Sequence, residues 1–406
     1  MSAGAVRRRC TQIGEIAVSG RANWFSINDE KFDQCVRMVQ HTCKRNYPDL
    51  EIPLHSRWRH FELSGKNLWH HYTGDFQGDP ENLARSAIDL VFVSVLLDAG
   101  AGQQWRFLDP VTGSVLSRSE GLAAASIELF FNHLAKYDPN LGWLVTADRL
   151  FSLTAQGLSH AFQHSAENHL VGVEGRLELL HGLASALDDR AAGQGTGGAG
   201  YHRPGCLMDE ILTVAKPGLH GEPTIGASDI LELVLGRFGE IWPRGYHCQG
   251  INLGDCGYHS LLESDDPTSG IVPFHKLSQW LTYSLIEPVQ WAGVKVERLD
   301  DLTALPEYRN GGLLLDTGAL QPLDEALMFS TLALDSEAVV EWRALTIYLL
   351  DLLALRLRRS LALSEKQLPL GAVLQGGTWF AGRELANQFR ANGAPPLRLL
   401  IDGTVF

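Results

Sequence analysis

The sequence predicts a mainly α-helical protein of two lobes with a few short strands. Seven segments carry apolar residues at three- and four-residue steps, the period of an amphipathic helix, whereas strand-like runs are few and short. The chain has 406 residues, 45% of them hydrophobic and 20% charged, which is typical of a globular protein. This composition excludes a fibrous repeat or a disordered chain, and a chain this long buries a large core without disulfides.

Each helix is predicted where apolar residues recur along one face, in several cases behind a capping residue. The predicted helices span residues 82–97, 121–136, 148–164, 174–188, 225–238, 274–287 and 336–359. Candidate N-caps are Thr146 or Asp148, Ser228 and Ser336. Pro288 predicts the end of the helix at 274–287, because the residue before a proline disfavours α geometry. The predicted strands are 114–116, 293–297 and 397–401.

One glycine-rich segment, residues 191–205, divides the chain. Its composition predicts a flexible surface loop or a mobile lid. We therefore predict an N-terminal extension, residues 1–50, followed by one large helical catalytic domain, residues 51–406. Its two lobes, at about 51–190 and 206–406, are joined by this loop.

The charge balance and the cysteine content limit which partners and compartments the protein can have. Acidic residues outnumber basic ones by 47 to 34, for a net charge of −13. Binding to a phosphate backbone requires clustered positive charge, so no nucleic-acid partner is expected, although a local basic pocket for a small anion is compatible with this balance. Six cysteines without a C-x-x-C pair indicate a reducing compartment. Neither a secretory signal nor a bilayer-spanning segment is recognisable, so we expect a cytoplasmic protein without membrane contact.

The segment FHKLSQWLTYSLIEP, residues 274–288, is the most informative for chemistry. On a helix, one side carries His275, Lys276, Gln279, Tyr283 and Glu287 at three- and four-residue steps. This side is either a solvated polar face or the lining of a ligand site. Its aromatic and amide groups favour the ligand site.

A second candidate is LPEYRNGGLLLDTGAL, residues 305–320. Glu307 and Arg309 precede two glycines that permit close backbone approach or an unusual turn, and Asp316 lies in the apolar run that follows. A carboxylate at this junction is either part of a surface ion pair or a group that activates water.

Glu341 and Arg343 lie near the start of an apolar helix, residues 338–359. Charged groups on a buried helix are costly unless they are paired. The two residues are therefore either a structural ion pair or part of a site.

The N-terminal half carries two weaker candidates. LHSRWRHF, residues 54–61, contains Arg57 and Arg59 and is either an anion site or an exposed basic loop. Asp98 and Trp105 flank a glycine pair and either line a pocket or simply follow the end of a helix.

A metal site is not expected from the cysteine and histidine spacing. The candidates are His247, Cys248, Cys256 and His259, and their spacing matches no familiar closed zinc site. The chain also contains no G-x-S-x-G, Walker or H-E-x-x-H motif.

The long motifs together resemble a fungal and bacterial domain-of-unknown-function family associated with the URC pathway of uracil catabolism. They are FHKLSQWLTYSLIEP, EYRNGGLLLDTG, GGTWFAGR at 376–383 and DGTVF at 402–406. The resemblance covers the chain from about Leu54 to its end. It implies a reaction on ribosylurea, or its 5-phosphate, that yields urea and the sugar.

A fainter resemblance links the chain to queuosine-salvage glycosidases, which are related in fold to helix-hairpin-helix DNA glycosylases. Their F-Y-K-x-x-Q motif is matched by Phe274, Lys276 and Gln279. Their D-Y-R-V-P-Q motif is matched by 307–309, although Glu307 replaces Asp and Asn-Gly replaces Val-Pro, and E-x-E-I-R-x-x-S-I-W is matched by 341–347. The resemblance implies a DNA-glycosylase-like helical fold and N-glycosidase chemistry.

The implied reaction develops positive charge on the sugar, which a carboxylate can stabilise while it deprotonates water. Glu307 is the first candidate and Asp316 the second. The candidate substrate-binding residues are Lys276, Gln279, Arg309, Arg343, Glu341, Asp98, Trp105, Glu120, Tyr283, His275, Arg57, Arg59, Trp379 and Arg383. In this hypothesis the cations hold a 5-phosphate or sugar hydroxyls, acidic and amide groups accept the N–H groups of urea, and a tryptophan covers its face. The chemistry requires no metal or other cofactor.

Two other classes of function stay open. An amidohydrolase would attack the ureido carbon and release ammonia or carbamate, with zinc or a nucleophilic cysteine. A non-catalytic pathway partner would instead tolerate alanine at Lys276 and Glu307.

Overall fold

The computed structural model describes residues 2–193, 203–242 and 245–400. Over these residues the protein is mainly helical with a few short strands, as the sequence predicts. Residues 194–202 of the glycine-rich loop and the terminal motif at 402–406 lie outside the described residues. Within the described ranges, every helix is too short or too polar to traverse a bilayer.

Fifteen α-helices are present in the described part of the chain. They are α1 Ala3–Val18, α2 Asp29–Asn46, α3 Leu68–Thr73, α4 Pro80–Leu96, α5 Arg118–Leu129, α6 Ala147–Phe151, α7 Ala155–Ala161, α8 Val173–Gly193, α9 Leu207–Val214, α10 Ala227–Phe238, α11 Lys276–Trp291, α12 Tyr308–Asp316, α13 Glu337–Leu361, α14 Leu370–Val373 and α15 Trp379–Phe389. Two π-helical turns, Phe130–Leu134 and Leu374–Thr378, extend α5 and join α14 to α15.

The strands are two to four residues long. They are β1 Phe25–Ile27, β2 Glu62–Leu63, β3 Lys66–Asn67, β4 Phe107–Leu108, β5 Val115–Leu116, β6 Lys136–Asp138, β7 Gly142–Leu144, β8 Lys216–Pro217, β9 Pro223–Gly226, β10 His247–Cys248, β11 Ile251–Asn252, β12 Cys256–Tyr258, β13 Ile271–Pro273, β14 Lys295–Glu297, β15 Leu320–Pro322, β16 Thr331–Leu332 and β17 Arg398–Leu399. Antiparallel pairs form between β1 and β15, β2 and β3, β4 and β5, β6 and β7, β8 and β9, β10 and β11, and β12 and β13. Parallel pairs join β9 to β14 and β16 to β17.

The contacts divide the chain into two compact units. Unit 1 combines Met1–His55, Gly245–Gln279 and Arg298–Ile401. Its central helix, α13, is buried nearly all round in its N-terminal half. Glycines permit close packing within the unit: a Cβ on Gly14 of α1 would lie 2.3 Å from the Tyr348 ring, and one on Gly382 of α15 would lie 2.4 Å from the Arg309 oxygen of α12. The second contact holds Arg309 against α15.

Unit 2 contains Ser56–Arg244 and Trp280–Glu297, so α11 gives its first turn to unit 1 and its remainder to unit 2. Its central helix, α4, is buried from Ser86 to Leu96, mainly with apolar side chains, and carries the fully buried Asp89. Arg203 donates to the Asp89 carboxylate over 2.8 Å, and the backbone N–H groups of Val145 and Gly205 also donate to it. Burial raises the pKa of Asp89 to about 6, although Arg203 opposes the shift. This network ties two chain segments, around Val145 and at 203–205, to α4.

The predicted end of the helix at Glu287 is wrong, because α11 continues through Pro288 to Trp291. A proline inside a helix removes the N–H that would bond to the carbonyl four residues earlier, which here belongs to Ser284. The indole Nε1 of Trp58 donates to that carbonyl over 2.8 Å, and the backbone N–H of Arg57 donates to the Ser284 hydroxyl over 2.9 Å. The freed acceptor is therefore satisfied from outside the helix.

Other predicted boundaries also need correction. The helix predicted at 148–164 is two helices, α6 and α7, because Thr154 caps a new helix through the backbone N–H of Gly157. The helix predicted at 225–238 begins two residues later, after β9, so Ser228 lies inside α10 and Asp229 supplies the cap contact to Gly226 N. The predicted extension contains α1 and α2. The predicted extension and lobes are consecutive ranges of the sequence, whereas each contact unit combines segments that are distant in the sequence. The predicted division therefore stays a prediction.

Candidate active site

Glu307 is the N-cap residue of α12, at the helix end where the dipole is positive. Its carboxylate accepts the backbone N–H groups of Arg309 and Asn310, each over 2.8 Å. Burial raises the pKa of this carboxyl, and the opposing influences are the Arg309 guanidinium, the two N–H groups and Lys276. The side chain is therefore both a helix cap and a carboxylate of increased basicity beside two cations.

Asp255 lies at the centre of the surrounding charges. Arg343 forms a bidentate pair with it, Nη1 to Oδ1 over 2.8 Å and Nη2 to Oδ2 over 2.7 Å. The backbone N–H of Lys276 also donates to Oδ2 over 2.9 Å. Burial on its own would raise the pKa of Asp255, but Arg343 and these hydrogen bonds lower it to about 2. Asp255 thus stays ionised and fixes the start of α11 against α13.

His275 precedes α11 and adopts a left-handed backbone conformation, with φ of 49°. Its backbone N–H and that of Phe274 both donate to the Asp255 oxygen, over 3.0 and 2.9 Å. The imidazole is 2% exposed. Burial lowers its pKa to about 4, although Asp255 opposes the shift, so the ring is neutral at neutral pH. We call Glu307, Asp255, Lys276, Arg309, Arg343 and His275 the acid–cation cluster.

Arg309 extends this cluster to α15. Its guanidinium lies over the Trp379 ring, 4.5 Å from the centroid, and Arg383 lies over the same ring at 5.3 Å. The His55 ring centroid lies 5.9 Å from that of Trp379, and the Nδ1 of His55 is 2.8 Å from Oε1 of Gln375 in the π-helical turn. Because π-helical turns occur often at functional sites, these side chains are candidate extensions of the site.

Two predicted substrate-binding residues in unit 1 are occupied by structural contacts. Gln279 donates to the Phe274 oxygen and the Thr303 hydroxyl and accepts the Thr303 N–H. Glu341 accepts three consecutive backbone N–H groups, those of residues 23–25, and His259 Nε2 over 2.9 Å. Both side chains are completely buried, so their polar groups hold the fold around the cluster.

Asp316 is separated from Glu307 by the length of α12, a rise of roughly 13 Å. It forms a bidentate pair with Arg390, over 2.7 and 2.6 Å. The structure therefore does not bring Asp316 to the acid–cation cluster. Glu307 is the carboxylate that lies among the predicted cations.

Unit 2 holds a separate buried polar cluster around Arg57. This side chain is fully buried and donates to Asp98 over 2.7 Å and to Ser94 over 2.7 Å. Asp98 also accepts Trp280 Nε1 over 3.1 Å. Burial lowers the pKa of Arg57, and Asp98 and Glu120 oppose the shift. The structure thus joins Arg57, Asp98 and Glu120, which the sequence places in three segments.

The other candidates in unit 2 have mainly structural surroundings. Trp105 is fully buried between Phe107 and Phe162 and donates to the Phe162 oxygen over 2.8 Å. Tyr283 is fully buried, and Arg59 pairs with Glu287 over 2.6 Å. A cavity of about 420 Å³ in this unit is lined by residues 67, 69, 70, 80, 83, 84 and 291, none of which is a predicted site residue.

The cysteine and histidine candidates are bound to different partners. His259 contacts Glu341, His247 Nδ1 lies 2.8 Å from the Gly245 oxygen, and Cys256 donates to the Leu253 oxygen. Among the residues with described placement, no group of three or more His, Cys, Asp or Glu side chains is arranged to hold a metal ion.

Sequence reasoning missed Asp255 and Gln375. Asp255 lies between two short strands in a glycine-containing segment, and its relation to Arg343, 88 residues away, exists only in the folded chain. The available signal in the sequence was the polar face of α11. The structure buries nearly all of that face, so its polar groups need partners from elsewhere in the chain.

These features define a class of mainly helical proteins in which a helix-capping carboxylate lies among buried cations. The chain belongs to the family described as "Protein of unknown function (DUF1688)", whose model matches residues 1–406. It is similar to "Uracil catabolism protein 4" of Lachancea kluyveri, with 35% identity over 420 residues, covering 95% of this chain and 93% of the relative. It is also similar to "Protein urg3" of Schizosaccharomyces pombe, with 36% identity over 383 residues, covering 93% and 90% of the two chains. The predicted membership of a domain-of-unknown-function family is thus confirmed.

Proposed function

We propose that this protein is an N-ribosyl hydrolase of uracil catabolism, which cleaves the N-glycosidic bond of ribosylurea or its 5-phosphate. The products are urea and ribose or ribose 5-phosphate. The name of one relative, "Uracil catabolism protein 4", supports the pathway, and the environment of Glu307 is the observation that carries the chemistry. The proposal includes a helical fold related to the queuosine-salvage glycosidases and DNA glycosylases.

In this mechanism Glu307 acts as the base. As the bond from C1 of the ribose to the ureido nitrogen breaks, its electron pair leaves with the nitrogen and positive charge develops on the sugar. Glu307 stabilises that charge and takes a proton from the water whose oxygen bonds to C1. The same proton then passes to the departing nitrogen, directly or through water, so that urea leaves neutral and Glu307 returns to its ionised form.

The surrounding cations have different roles in the proposal. Lys276 and Arg309, which act electrostatically on Glu307, hold the sugar hydroxyls or the 5-phosphate. Both Nη groups of Arg343 donate to Asp255, so Arg343 positions Asp255 and the start of α11 instead of contacting a phosphate.

The test is to incubate the purified protein with ribosylurea and with its 5-phosphate, and to measure urea and reducing sugar. Glu307→Gln keeps a side-chain oxygen for the helix cap but removes the base, so we expect kcat to fall by about 10²–10⁴. Asp316→Asn is the matched control on the same helix and should keep near-normal kcat. Absence of turnover with both substrates, or full activity of E307Q, would refute the proposal.

The products also separate the rival functions. Ammonia or carbamate in place of urea would indicate an amidohydrolase acting on the ureido carbon. A protein that folds but turns over neither compound would instead favour a non-catalytic partner in the pathway.

A further inference from the structure

We propose that His275 is a specificity-determining residue, whose buried imidazole forms a hydrogen bond with a ribose hydroxyl of the substrate. This inference rests on the proposed function and deepens it. It concerns which sugar the site accepts, not which group performs the hydrolysis.

The first observation is a polar atom without a partner. In the described part of the chain, Nε2 of His275 is buried and makes no hydrogen bond. Buried polar atoms in folded proteins are nearly always paired, and an exception calls for an explanation such as a ligand or water. The adjoining residues Gln279 and Asp255 satisfy their own groups elsewhere, so this imidazole differs from those two side chains.

The second observation is the backbone. A left-handed conformation is uncommon outside glycine and persists only where the surroundings enforce it. Here three consecutive N–H groups, those of Phe274, His275 and Lys276, converge on the backbone and carboxylate oxygens of Asp255. The fold therefore fixes the backbone from which this side chain extends, as a substrate contact requires.

The third observation is the location within the acid–cation cluster. His275 directly precedes Lys276, which acts electrostatically on Glu307, and Asp255 and Arg343 act on the imidazole itself. A hydroxyl both donates and accepts, so it pairs with either tautomer of a neutral imidazole. A neutral ring also adds no positive charge beside a sugar that becomes cationic during the reaction.

The experiment compares ribosylurea with its 2-deoxy and 3-deoxy analogues in the wild type and in two variants. Discrimination is defined as kcat/KM for ribosylurea divided by kcat/KM for an analogue. The intrinsic reactivity of each sugar cancels when this ratio in a variant is compared with the ratio in the wild type. His275→Asn accepts the left-handed backbone but is too short to replace Nε2. His275→Gln places an amide near the Nε2 position.

We expect H275N to lose about 10- to 100-fold of the discrimination against one analogue, the effect of an unsatisfied buried polar group, and H275Q to restore part of it. Thermal unfolding of both variants checks the fold. Unchanged discrimination against both analogues in H275N and H275Q would overturn the inference and would indicate that water satisfies Nε2. Absence of wild-type turnover would instead be a failure of the proposed function, and the inference would fall with it.

Discussion

The Asp255–Arg343 pair should be a large single contribution to the stability of unit 1. Asp255 and Arg343 have side-chain exposures of 12% and 5%, and the pKa of Asp255 is lowered from 3.8 to about 2. At about 1.4 kcal/mol per pKa unit, this shift corresponds to roughly 2–3 kcal/mol. Asp255→Asn also leaves the Arg343 charge buried without its partner, which typically costs about 3–5 kcal/mol. We therefore expect a loss of about 3 kcal/mol in the free energy of unfolding at pH 7.

The assay is urea unfolding followed by tryptophan fluorescence, with D255N, Arg343→Met and the double variant. Methionine can still cover the Phe274 ring, over which the guanidinium lies at 4.0 Å. If the pair acts as a unit, the double variant should be less destabilised than the sum of the single variants, by about 2 kcal/mol. Additive effects, or a loss below about 1 kcal/mol in D255N, would refute the reasoning.

The pH dependence has a defined sign. Because the folded-state pKa of Asp255 is below the unfolded value, its stabilisation is fully present above about pH 4 and is lost as the pH falls to about 2. The difference in stability between the wild type and D255N should therefore shrink across that interval. A difference that is constant from pH 5 to pH 2.5 would contradict the assigned charge state.

Three further outcomes follow from other contacts. Glu341→Gln should lower the free energy of unfolding by about 1–3 kcal/mol, because the amide cannot accept from all four donors; an unchanged urea midpoint would contradict this. Gly311→Ala should destabilise the folded protein by about 1–3 kcal/mol, since the added Cβ would lie 2.7 Å from the Trp342 indole. Gly236→Ala, which has open space around it in α10, should stabilise the protein by up to about 1 kcal/mol. Thermal melts in which both variants shift in the same direction would be inconsistent with the packing. Burial raises the thiol pKa values of Cys10 and Cys35, so both should react with a thiol reagent only after unfolding. Rapid labelling of either thiol in the native protein would contradict this and would show that the surrounding core opens.

Periodicity predicted the helices whose apolar stripe is wide, and α4 shows this well. The sequence predicts residues 82–97, and the helix is Pro80–Leu96. The stripe of α2 is narrow, with Phe32, Cys35, Val36, Val39 and Cys43 set among charged residues. The spacing was present, but the polar composition concealed it.

The candidate site was predictable only in part. Motif order in the sequence indicated Glu307, Lys276 and Arg309, and the structure brings their charges together. Asp255 could not be found in this way, because its role depends on partners that approach it only after folding. Asp316 was misleading for a related reason: a carboxylate in a glycine-rich motif carries no indication of which end of a helix it occupies.

Pro288 has a consequence for how the chain aligns within unit 2. Because proline has no N–H, the Ser284 carbonyl of α11 lacks its usual donor from within the helix, and the Trp58 indole donates to it instead. A slip of the 56–61 segment by one helical turn would present the indole to a carbonyl already bonded within the helix. The proline thus favours the alignment in which Trp58 faces Ser284, and a residue usually regarded as interrupting a helix here helps to place the neighbouring 56–61 segment.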